Sequence, residues 1–141
     1  MNNKSDVLAQ WFDTRLASLS NRLQPVLKDS RSTGKIGSAI QKAPQGIYGF
    51  VSFSPHGKPE EENIDATLFI NLGEKIAKMS ADICWSDGDM IGDFGDYKIG
   101  YSSLAELSEK IEKIYSQIEG EIFQKMAELI KSDLPPKYRR E

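Results

Sequence analysis

Lys75-Ile76-Ala77-Lys78-Met79-Ser80-Ala81-Asp82-Ile83-Cys84-Trp85, followed by Ser86-Asp87-Gly88-Asp89, is the stretch whose reading decides the fold. At a period of two, Ala77, Met79, Ala81, Ile83 and Trp85 share one face, and Ile76, Lys78, Ser80, Asp82 and Cys84 share the other. That alternation predicts a half-buried strand with the Trp85 side in the core. Asp87-Gly88 then signals a tight hairpin, because glycine tolerates the positive φ such turns need and aspartate tolerates it better than most residues. The chain should turn back at this point.

Working outward, Met90, Ile91, Phe94, Tyr97, Ile99 and Tyr101 continue on the far side of the turn, interrupted by Gly92, Gly95 and Gly100. These glycines predict bulges or a broken edge. Upstream, Asp65 to Leu72 alternates with Ala66, Leu68, Ile70 and Leu72 on one face, and Ile47 to Ser54 carries large apolar residues on both faces. Four sequential strands joined by short links predict an antiparallel meander, since no connection is long enough for a parallel return.

Helical periodicity brackets these strands. Ser5 can cap an amphipathic helix bearing Val7, Leu8, Trp11, Phe12, Leu16, Leu19 and Leu23. Pro25 is expected to kink that helix near Asn21 or restart it, with the helix finished by Lys28. At the other end, Ser103 and Glu106 form a capping-box pattern ahead of Leu104, Leu107, Ile111, Ile114, Ile118, Ile122, Met126 and Leu129. A continuous helix to Ser132 would run about 43 Å, longer than the sheet is wide, so its end could project and support a homodimer. The expectation is an α+β single domain, 1–141: an N-terminal amphipathic helix, a four-stranded antiparallel meander and a long C-terminal helix packed on one sheet face. Residues 28–46, rich in Ser, Gly and Lys with only Ile36 and Ile40 as large apolar residues, read as a mobile basic loop, and 137–141 as a frayed tail. Thr33-Gly34-Lys35 lacks the upstream glycine, the following Ser or Thr and the preceding strand of a phosphate-binding loop.

Composition narrows the function classes. The 141 residues are 39% hydrophobic and 28% charged, and no apolar run nears the roughly 20 residues of a membrane span. The N-terminus carries no secretory pattern and the lone Cys84 cannot form an internal disulfide, which predicts a cytoplasmic protein. Charge is segregated. Residues 1–45 carry seven Lys/Arg against three Asp/Glu, and residues 46–101 four against ten. An acidic middle argues against nucleic acid, which needs clustered cations, and for a basic protein partner.

The acidic residues Asp82, Asp87, Asp89, Asp93 and Asp96 are the candidate partner-binding set. A calcium loop opening at Asp87 would need glutamate at its twelfth place, where Lys98 stands. His56, the only histidine, lies in a polar connector without a partner for catalysis or metal binding, and Cys84 has no basic neighbour to activate it. No catalytic residue, cofactor or metal is expected, although a looser acidic metal site would make the chain an enzyme.

Leu8-Ala9-Gln10-Trp11-Phe12-Asp13-Thr14-Arg15, a Gly-Lys loop, and a strand ending Trp85-Ser86-Asp87-Gly88-Asp89 before a final amphipathic helix together resemble bacterial polymorphic-toxin immunity proteins of the TriTu family. The resemblance implies a cytoplasmic, non-catalytic protein that binds and neutralises one cognate toxin domain. An alternative from a different class is a small acidic secretion chaperone or adaptor that binds an effector segment as a dimer.

Overall fold

The structure is a computed structural model that describes residues 3–30, 34–55, 63–85 and 90–132. In chain order its elements are α1 (Asn3–Asp29), β1 (Lys35–Ala43), β2 (Gly46–Ser54), β3 (Ile64–Leu72), β4 (Ile76–Trp85), β5 (Met90–Gly100) and α2 (Leu104–Lys131). The strands form one antiparallel sheet in the order β1-β2-β3-β4-β5. This is an α+β fold, with five strands where the periodicity indicates four.

The additional strand lies inside the stretch expected to be a mobile basic loop. β1 pairs with β2 along its whole length, from Lys35↔Ser54 to Ala43↔Gly46, and Pro44-Gln45 makes the turn between them. The ladder supplies its backbone hydrogen bonds, so the strand needs few apolar side chains. Ile36 and Ile40, four apart, both turn inward and pack against the core. The Lys42 ammonium meets Asp6 of α1 at 2.6 Å.

Both helices cover one face of the sheet. α1 lies over β1 and β2, α2 lies against β5, and the two helices touch each other. Leu8, Phe12, Leu16, Leu19 and Leu23 of α1 are buried, as are Leu107, Ile111, Tyr115, Ile118, Ile122, Met126 and Ile130 of α2. The steps of three and four residues keep each set on one helix face. They close on Ile47, Val51 and Phe53, on Ile64, Leu68 and Ile70, and on Ala77, Met79, Ala81, Ile83 and Trp85. Trp85 therefore packs into the core, as the alternation requires.

Three helix details differ from expectation. α1 begins at Asn3, so Ser5 lies within its first turn rather than capping it, and the helix runs through Pro25 to Asp29. Pro25 sits on the exposed side together with Asn21, whose carbonyl loses its helical donor and can take water instead. In α2 the Ser103 Oγ accepts from the Glu106 N–H at 3.1 Å, while the Glu106 carboxylate reaches back one residue further, accepting from the Ser102 N–H at 2.8 Å. The seam between the helices is polar and aromatic. Trp11 Nε1 donates to Glu112 at 2.9 Å, Arg15 bridges Glu112 and Glu119, and the Trp11 and Tyr115 rings meet edge to face at 5.4 Å.

Gly49 sets how closely α1 approaches β2. A Cβ there would lie 2.3 Å from Leu16 Cδ1 and 3.4 Å from the Phe12 ring. Gly49→Ala should therefore cost about 1–3 kcal/mol through overpacking, read as a lower midpoint of urea unfolding with an unchanged slope.

Candidate functional site

Because α1 and α2 share one side, the opposite face of the sheet is open. Its side chains follow from the register, since directly paired residues point the same way. One row runs Ala39, Phe50, Thr67, Asp82 and Asp93; the next runs Gln41, Tyr48, Phe69, Ser80 and Asp96; a third brings Asn71, Lys78 and Lys98 together.

Aromatic rings occupy the centre. Tyr48 stacks on Phe69 with ring centroids 4.2 Å apart and planes 23° apart, and it lies nearly parallel to Phe50 at 6.1 Å. All three are only half-buried. Ring faces of this kind accept apolar groups and cations alike. Beside Phe69, a shallow cavity of about 400 Å³ is lined by Ser80, Asp96, Tyr97, Lys78 and Lys98 among others.

Carboxylates border the rings. Asp82 stands directly across the ladder from Asp93, and Asp65 pairs with Cys84 on the same face. Strict alternation along β5 would send Asp93 and Asp96 to opposite faces, because they are three residues apart. A bulge brings both to the open side. β5 spends three steps between Asp93 and Asp96 where β4 spends two between Asp82 and Ser80. Gly95 takes φ of 107°, a conformation that disfavours side chains, and its N–H donates to Asp93 Oδ1 at 2.9 Å. The Tyr97 hydroxyl fastens the bulge by donating to the Phe94 carbonyl at 2.7 Å.

Two pairs on this face set like charges opposite each other, Asp82 with Asp93 and Lys78 with Lys98. Such pairs destabilise a sheet. None of the four joins an ion pair among the described residues. The arrangement gives up stability in the isolated sheet.

Of the five aspartates singled out by the sequence, Asp82, Asp93 and Asp96 are brought together here. Asp87 and Asp89 lie outside the described residues, as do His56 and the tail 137–141. Tyr48, Phe50, Phe69 and Asp65 belong to the same face and escaped the sequence reading. The signal was present in Ile47 to Ser54, where large apolar residues occupy both faces of one strand. Among the described residues, no three His, Cys, Asp or Glu side chains converge to hold a metal, and no helix is long and apolar enough to cross a membrane.

Cys84 donates to Asp82 Oδ1 at 3.3 Å. Burial, that hydrogen bond and the nearby carboxylates of Asp82 and Asp65 push its thiol up to about 11. Relative to an ordinary cysteine its thiolate is scarcer by about 100-fold at pH 8, and higher nucleophilicity restores only about tenfold. Alkylation by iodoacetamide at pH 8 should run roughly tenfold slower in the folded chain than in the chain unfolded in urea.

Comparison with known proteins adds no relative: no family model matches the chain, and no curated protein or solved structure matches it at a significant level.

Proposed function

We propose that this chain is a non-catalytic binding protein whose open sheet face docks a basic protein domain, and that the partner is a bacterial toxin domain neutralised in the cytoplasm. The observation that carries the reading is the half-buried Tyr48, Phe50 and Phe69 platform on the open face, bordered by Asp65, Asp82, Asp93 and Asp96. Rings anchor an interface by burying large rigid surfaces, while carboxylates steer a cationic partner and fix its orientation. The resemblance to TriTu immunity proteins supports a toxin as that partner. An acidic face of this kind imitates the phosphates that a nuclease-like toxin would otherwise hold, and it would accelerate association at low salt.

The experiment is co-expression with the protein encoded by the neighbouring upstream gene, tested for toxicity on its own, paired with purification of both chains. Rescue of growth and a one-to-one complex are expected. Continued killing with no complex would remove the reading.

A further inference from the structure

We infer that, without its partner, the chain closes its open face on a second copy of itself, forming a face-to-face homodimer whose twofold axis runs across the strands through the Tyr48–Phe69–Ser80 row. The inference goes beyond the proposed function and does not depend on it.

The face is complementary to itself under that rotation alone. Turning a second copy about an axis across the strands places each strand over its own counterpart and reverses its direction. The row holding Asp82 and Asp93 then lies over the row holding Lys78 and Lys98, because the two rows flank the axis row at equal spacing. Asp82 meets Lys78 and Asp93 meets Lys98, twice over by symmetry. The like-charge pairs that weaken the isolated sheet become opposite-charge contacts. Phe50 is brought over Gly46, where the Phe69 ring edge already lies 3.0 Å from the place of a Cβ, so ring meets ring. An axis along the strands does none of this, since it would set β5 over β1 and β4 over β2, bringing Asp93 over Ala39 and Asp82 over Phe50, where neither meets a cation. In the axis row Asp96 is the one charged residue that faces its own symmetry mate, and it does so at the sheet edge, where water and salt screen the repulsion.

The area is sufficient. Five strands about 4.8 Å apart and about 30 Å long give about 700 Å² per copy, or about 1,400 Å² in total, which falls in the range of stable interfaces. Half-buried aromatic rings over such an area are otherwise a liability to aggregation. A partner using the same face must open the dimer.

Sedimentation velocity on the purified full chain tests the inference. The wild type should be a concentration-dependent dimer that weakens with salt. Lys78→Glu with Lys98→Glu should be monomeric, and adding Asp82→Lys with Asp93→Lys to the same chain should restore the dimer. A cross-link gives a second readout that needs no charge reversal. Ser80→Cys in a Cys84→Ser background should give a covalent dimer with a short bismaleimide, because Ser80 lies over its own symmetry mate. A monomeric wild type, a dimer indifferent to the reversal, a four-fold variant that stays monomeric, or absence of the cross-link would each overturn the arrangement.

Discussion

Phe12→Ala should be the most damaging single substitution in α1, lowering stability by about 3–5 kcal/mol. Phe12 is completely buried, packs at 5.1 Å from the Trp11 ring and lies against Gly49, where no sheet side chain stands between helix and strand. Gly49 has no side chain to move into the vacated space, so the cavity cannot collapse from the sheet side. A domain of this size has about 5–15 kcal/mol in all, and the loss corresponds to a fall of roughly 10–20 °C in Tm. Calorimetry and urea unfolding would measure it. A loss below about 1 kcal/mol would mean that α1 is not seated on β2 as described.

Reversing Asp82 and Asp93 together to lysine should weaken partner binding by about 100-fold or more, since close charge pairs across interfaces couple by about 1.5–7 kcal/mol. Folding should lose about 1–2 kcal/mol at most, because the substitution exchanges one like-charge pair for another on an open face but removes the acceptors of the Gly95 N–H and the Cys84 thiol. Asp82→Asn alone relieves the repulsion across the ladder and should raise stability by a few tenths of a kcal/mol while still costing affinity. The combination is diagnostic: a purely structural carboxylate pair would not lose binding as it gains stability. Titration calorimetry with the purified partner gives the affinity, and an unchanged value in the folded double variant would place the contact elsewhere.

The strand β4 was legible because its inner face is uniformly apolar and its outer face, Ile76 apart, carries Lys78, Ser80, Asp82 and Cys84, an alternation that matches the period of an extended backbone. α2 was legible for the same kind of reason, its apolar residues recurring at three and four over 28 residues. β1 was not. As an edge strand with exposed Lys35, Ser38, Gln41 and Lys42, it is stabilised by ladder hydrogen bonds to β2, and hydrogen-bond partners remote in sequence leave no local pattern. Pro44-Gln45-Gly46 was the available clue, a turn that brings the following strand back beside whatever precedes it.

The acidic residues divide along the same line. Their abundance in the middle of the chain, the ground on which a basic partner is proposed, is a property of composition that no fold can alter. Which of them stand together was decided by tertiary structure. Placing α1 and α2 on one side exposed the Phe50 and Phe69 side of the sheet, and the bulge at Gly95 turned Asp93 and Asp96 to that side against their spacing. By itself the sequence determined the elements whose side-chain period matches a backbone period, together with the sign of the charge. Only the folded chain decided the surface, because a face is made from neighbours in register, and register is set by pairings between strands distant along the chain.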